Sequence, residues 1–168
     1  MEHLTLRPAV PADEPFLWTM LFEASHFAES GATSPTELRS VPELAHYVEN
    51  WGTTGDLGII GSIDNKPQGA AWLRLPTGNN AGYGYINDTT PELAIATAPE
   101  ARGTGLGTAM LTRLIHNAHP IHPAITLSVR DSNPARRLYE RLGFAEVPDS
   151  AMTNRAGTIS RTMVLRWR

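Results

Sequence analysis

Pro99-Glu100-Ala101-Arg102-Gly103-Thr104-Gly105-Leu106-Gly107-Thr108 stands between a run with strand character, Glu92 to Thr97, and a run with helical periodicity, Leu106 to Ala118. Glycines at 103, 105 and 107 let the backbone take positive φ and come close to a ligand. Successive N–H groups then converge at a helix N-terminus, where unpaired donors and the helix dipole favour an anion. Arg102 adds a fixed charge with a fork of donors suited to phosphate. A plain strand-to-helix turn, with glycines for close packing, is the competing reading. A P-loop would end in Gly-Lys-Ser/Thr, and this loop has no Lys. A dinucleotide fingerprint would need its third glycine at position 108, where Thr108 stands. Asp131 lies where a ribose-binding acid would fall, so a nucleotide-binding oxidoreductase stays open as an alternative.

Working outward, the chain before the loop reads as strands and helices in a mixed order. His3 to Ala9 alternates Leu4 and Leu6 with polar residues and ends near Pro8, as a strand would. Pro11-Ala12-Asp13 opens a helix to about Ala24, with Phe16, Leu17, Met20 and Leu21 at helical spacing. Ser25 to Val41 is polar and reads as a loop. Pro42 starts a second helix carrying Leu44, Tyr47 and Val48, which Gly52 stops. Leu57 to Ile63 and Gly69 to Leu75 read as two strands joined by the turn residues Asp64 to Pro67. Pro76 to Gly84 is a Gly- and Asn-rich loop.

Beyond the loop and its helix, Ile125, Leu127 and Val129 alternate with polar residues as a strand. A helix follows from Pro134 to Leu142, and Ile159 to Trp167 reads as a closing strand. Strands joined by hairpin turns before a strand–helix–strand unit imply an α/β fold with a mixed sheet.

Composition narrows the functional classes. The 168 residues fit one domain and carry 41% apolar and 18% charged residues, as an ordinary globular protein does. A formal net charge of -3 with no basic run argues against a nucleic-acid partner. Without cysteine there can be no disulfide, thiolate metal site or cysteine nucleophile. No apolar run approaches the roughly 20 residues that span a bilayer. The start lacks a basic-then-apolar leader pattern, so the expectation is a cytoplasmic protein without a membrane partner. His116, His119 and His122 are unevenly spaced and lack a carboxylate, which argues against zinc and for a solvated helix end.

A second motif runs Leu127-Ser128-Val129-Arg130-Asp131-Ser132-Asn133-Pro134-Ala135-Arg136-Arg137-Leu138-Tyr139-Glu140-Arg141-Leu142-Gly143-Phe144. Asn133 suits an N-cap, Pro134 a first helical position and Gly143 a left-handed C-cap. Taken with the loop, it resembles the GNAT superfamily of acyl-CoA-dependent N-acyltransferases. The family's Arg/Gln-x-x-Gly-x-Gly/Ala pattern is met by Arg102, Gly105 and Gly107. Its following strand, Asn, Tyr-bearing helix and Gly-Phe are met by Asn133, Tyr139, Gly143 and Phe144. The likeness is specific from Glu92 to Phe144 and looser elsewhere.

The resemblance implies a central mixed, mostly antiparallel sheet flanked by about four helices, whose fourth and fifth strands splay apart. It implies acetyl-CoA as co-substrate, no metal, and direct attack by an amine in a ternary complex. Leu93, Ala94, Ile95, Ala96 and Thr97 would pair with the pantetheine arm. Arg102, Gly103, Thr104, Gly105, Leu106, Gly107 and Thr108 would hold the pyrophosphate. Asn133 and Arg136 would complete the CoA side. Glu92 would be the general base and Tyr139 the general acid. The acceptor is a small-molecule or peptide amine, drawn against Trp18, Phe22, His26, Phe27, Tyr47, Trp51, Trp72, Tyr83 or Tyr85, and a homodimer is compatible with the family. A CoA-binding sensor without catalysis is the second reading.

Overall fold

In the computed structural model, which describes residues 3–76 and 82–167, one sheet runs through the centre with helices on both faces. The strands are β1 (Leu4–Pro8), β2 (Leu57–Ile63), β3 (Lys66–Arg74), β4 (Glu92–Thr97), β5 (Ala124–Arg130), β6 (Ala145–Glu146), β7 (Met152–Thr153) and β8 (Ile159–Arg166). The helices are α1 (Glu14–Ala24), α2 (Pro42–Ala45), α3 (Leu106–Ala118) and α4 (Arg136–Arg141). The spatial order is β1-β2-β3-β4-β5-β8-β6, with β7 on β8. Every neighbouring pair is antiparallel except β4 and β5, which are parallel. This is the mixed, mostly antiparallel sheet the resemblance implied.

Period-two alternation divides the core. Ile59, Ala71 and Leu73 face α3, where Leu106, Met110, Leu111 and Leu114 bury the helix's inner stripe. Their chain neighbours Ile60, Ala70 and Trp72 face α1, against Leu17, Trp18 and Leu21. Each buried Leu, Ile or Met side chain among these contributes about 1.5–3 kcal/mol. The sheet is therefore clamped from both sides, and β4 is held between α1 and α3.

Several boundaries differ from the sequence expectation. Ser25 to Val41 is not simply loop: Phe27–Ser30 and Pro35–Ser40 are 3-10 turns, with Leu38 fully buried. Ser34 and Glu37 form a capping box that starts the second turn. α2 closes after four residues, and His46 to Asn50 continue as turns. β3 begins at Lys66 because the Asp64-Asn65 turn is tight, with both residues at positive φ. α4 begins at Arg136 after a turn through Pro134 and Ala135. The two-residue strands β6 and β7 are too short for any periodicity to reveal. Of the Gly- and Asn-rich loop, residues 77–81 lie outside the described residues.

Candidate active site

Parallel strands β4 and β5 share one Cα pair, Glu92 with Thr126. Beyond it β4 continues to Thr97 paired only with β3, from Leu93↔Leu73 to Thr97↔Gly69. The strands therefore splay, leaving the β5-facing edge of Leu93 to Thr97 without a ladder partner. An open edge of this kind offers N–H and C=O groups to an extended ligand. A cavity of about 150 Å³ opens there, lined by Leu93, Ala94 and Ile95 from β4 and by Leu127 to Arg130 from β5.

At the end of β4 the chain turns through Pro99–Ala101 into the glycine loop. Gly103 and Gly105 sit at φ 78° and 87°, values that favour glycine. A side chain added at either would meet nothing within 4 Å, so the loop faces open space. Gly105 is the N-cap of α3. Among the described residues, the N–H groups of Gly103, Thr104, Gly105, Gly107 and Thr108 have no backbone carbonyl partner. The Thr104 hydroxyl donates to Ala101 O at 2.6 Å, and Leu106 N–H reaches that hydroxyl at 3.4 Å. The Arg102 side chain is 64% exposed, with Glu23 as a loose partner at 3.6 Å. The loop thus presents N–H donors at a helix N-terminus beside one exposed cation, an arrangement suited to an anion.

Glu92 and Tyr139 both line the splay cavity. Glu92 is 7% exposed, and burial raises its carboxyl to about 7 against the usual 4.5. Two donors work the other way: the Tyr47 hydroxyl, bonded to Oε2, and the Gly84 backbone N–H. Tyr139 is also 7% exposed; burial raises its phenol to about 12, and its ring packs edge-on against Phe144 at 5.9 Å. The phenol therefore stays protonated at neutral pH and keeps a proton to donate. Asn133 accepts Ala135 N–H at 2.9 Å and so starts the α4 turn while lining the same cavity.

Arg136 stands differently from the other residues expected on the CoA side. Its guanidinium is bonded to Glu146 at 2.7 Å and Glu140 at 3.3 Å. Of the aromatic acceptor candidates, Trp18, Trp51 and Trp72 are core residues. His26, Tyr47 and Tyr83 line the splay cavity, and Tyr85 lines a second cavity behind Glu92. His116 and His119 are exposed, but His122 is buried, with its ring on Gly55 O at 3.2 Å, so it is no solvated helix end. Among the described residues no group of three or more His, Asp or Glu could hold a metal ion. No helix among them is long and apolar enough to cross a membrane.

The site thus joins an open strand edge to a glycine loop with unpaired N–H groups at a helix N-terminus. Residues 65–166 match the family described as acetyltransferase (GNAT) domain, and the chain belongs to that family. It is 26% identical over 149 residues to a mycothiol acetyltransferase of Pseudarthrobacter chlorophenolicus, covering 85% of this chain and 43% of that protein. The chain thus spans less than half the length of that relative. It is 32% identical over 117 residues to the ribosomal protein bS18 alanine N-acetyltransferase of Haemophilus influenzae, covering 66% of this chain and 74% of that one. YncA of Salmonella typhimurium, solved with its cofactor acetyl-CoA, has the same fold, with TM-score 0.65 and 21% identity over 97% of this chain and 93% of that one. Family membership removes the dinucleotide-binding alternative; Asp131 instead accepts Arg161 Nε at 2.7 Å.

Proposed function

We propose that this chain transfers an acetyl group from acetyl-CoA directly to an amine. The observation that carries the reading is the open β4 edge beyond Glu92, which joins the glycine loop at one end to Glu92 and Tyr139 at the other. The residues fit the co-substrate. Leu93 to Thr97 offer backbone groups to the pantetheine arm, and Gly103 to Thr108 offer N–H groups to the pyrophosphate. Arg102 is free to swing from Glu23 to a phosphate. Arg136 is the least suited of the CoA-side residues, because Glu146 and Glu140 already compensate its charge.

An alkylammonium acceptor must lose a proton before nitrogen can attack. Glu92, with its carboxyl near 7, is ionised in a large share of molecules at neutral pH and can take that proton. Tyr139 can give its proton to the departing CoA sulfur and recover one from solvent. The absence of cysteine leaves no acyl-cysteine route, in keeping with direct transfer. The acceptor is an amine on a small molecule or a peptide.

Purified protein with acetyl-CoA is screened against pooled amines, with free thiol as readout. Amine-dependent thiol release is expected. Tight CoA binding with no release from any pool would favour a sensor or scaffold, and failure to bind CoA would remove the reading.

A further inference from the structure

Glu92 is held by groups that neither sequence motif contains. Tyr47 lies on the turn after α2, 45 residues away in the chain. Its hydroxyl donates to Glu92 Oε2 and accepts Tyr83 N–H at 3.1 Å. The turn itself is anchored from β3. Trp72 Nε1–H donates to Tyr47 O at 2.9 Å. Arg74 donates to His46 O at 3.2 Å, Glu49 O at 2.6 Å and Asn50 O at 3.1 Å.

Arg74 is also the direct cross-strand partner of Glu92. A guanidinium at that position could pair with the carboxylate and hold it ionised far below neutrality. Here it is aimed at the turn and at Asp56, 3.4 Å away. Among the described residues, Glu92 keeps neutral donors alone, Tyr47 and Gly84. That is what a base working near neutral pH requires.

The pair also stands between two cavities. Tyr47 and Glu92 line both the splay cavity and a second one of about 360 Å³. On the splay side the titratable or charged groups are His26, Tyr83, Arg130, Tyr139 and Arg155. On the other they are His46, Glu49, Asp56, Arg74 and Tyr85. Among the described residues, Tyr47 is the side chain hydrogen-bonded to the Glu92 carboxylate. A side chain at Gly82 would collide with both Glu92 Oε1 and the Tyr47 hydroxyl, so the backbone there closes over the pair.

We propose that Tyr47 is the positioning residue for the base: its hydroxyl aims Glu92 toward the splay cavity and sets the pH at which Glu92 ionises. The proposal rests on the reading of Glu92 as the base. Glu92 takes one proton from the acceptor ammonium, and the Tyr47 proton stays on its own oxygen. Burial and the neighbouring carboxylate raise the Tyr47 phenol well above its usual value, so it remains a donor throughout.

The test compares kcat/KM against pH for the wild type, Glu92→Gln and Tyr47→Phe, with an acceptor found by the thiol screen. Glu92→Gln should remove the limb centred near 7 and leave only the later rise that follows free amine at high pH. Tyr47→Phe should move it upward by about one pH unit, because a hydrogen bond to the charged form is lost, while a high-pH plateau persists. A wild-type limb in Glu92→Gln removes the base and the proposal with it. Loss of the limb in Glu92→Gln, with Tyr47→Phe titrating as wild type, overturns the role of Tyr47 alone. Should Tyr47→Phe fail to fold, 3-fluorotyrosine at position 47 keeps the shape and strengthens the donor. The limb should then move down, and an unmoved limb overturns the proposal.

Discussion

Glu92 and Thr126 form the cross-strand pair at which β4 and β5 meet before they diverge. The same two residues hold the 82–84 segment over the junction. Thr126 donates its hydroxyl to Gly84 O at 2.6 Å, and the Gly84 N–H faces the Glu92 carboxylate. Closing the sheet here, and only here among the described residues, puts a buried acid at the inner end of the opening.

That burial dictates a pH dependence of activity. With its carboxyl raised to about 7, Glu92 is protonated at low pH and gains its basic form as pH rises through neutrality. The rate should rise along a limb centred near 7. Glu92→Gln should be slow at pH 7 and recover in part at high pH, where free amine is abundant. A variant profile superimposable on wild type would leave Glu92 without a role.

Stability should move in the opposite sense. The folded carboxyl binds its proton more tightly than the unfolded one, so its contribution is fully present below about 4.5 and is lost as pH rises through 7. Glu92→Gln carries no charge to bury. It should be more stable than wild type at pH 8 by up to roughly 3 kcal/mol, with the gap closing by pH 4.5. Urea unfolding at the two pH values measures it; an equal gap at both would mean that Glu92 ionises normally.

Local patterns made the loop, its flanking strand and helix, and the second motif readable, because each lies within a few consecutive residues. The splay itself was accessible only through the family resemblance, since no local signal tells a paired strand edge from an open one. Tyr47 could be named as an acceptor candidate but not as a partner of Glu92, because the contact joins residues 45 apart. The buried turn at Pro35–Ser40 did carry a legible sign, the Ser34-Pro35-Thr36-Glu37 capping box, hidden in a polar stretch. The pairing of Arg136 with Glu146, a residue on the short strand β6, was likewise outside what any local pattern shows.

Gly105→Glu tests the loop. Its Cβ would meet nothing within 4 Å, so the fold should survive a backbone strain of about 1–2 kcal/mol at φ 87°. The carboxylate would stand where the pyrophosphate is expected. Calorimetric titration should show CoA affinity lost in Gly105→Glu and largely retained in Gly105→Ala, which carries the same strain without the charge. Equal affinity in all three proteins would place the phosphate elsewhere.

Thr126→Val tests the junction. The position is fully buried, so valine fits the space but leaves Gly84 O without its donor. A loss of about 1–3 kcal/mol is expected from the unsatisfied carbonyl. Acetyl transfer should slow as well, because the 82–84 segment no longer holds the Gly84 N–H against Glu92. Unchanged unfolding midpoints would show that the hydroxyl's bonds to Gly84 O and to Met163 O, 3.1 Å away, add no net stability and that the segment is held by other contacts.

Tyr139→Phe removes one hydroxyl from the cavity and leaves the ring against Phe144. Burial puts this phenol at about 12, so it stays protonated over the whole working range and causes no basic limb below pH 10. A donor this weak still helps when the departing sulfur would otherwise leave with a full negative charge. As the general acid, its loss should lower the single-turnover rate by roughly 10²-fold, with acetyl-CoA affinity nearly unchanged. Single-turnover measurement is needed because product release can mask the chemical step in kcat. If Tyr139 serves only to pack α4 against the sheet, the Phe variant will transfer acetyl at the wild-type rate, and the sulfur must take its proton from water.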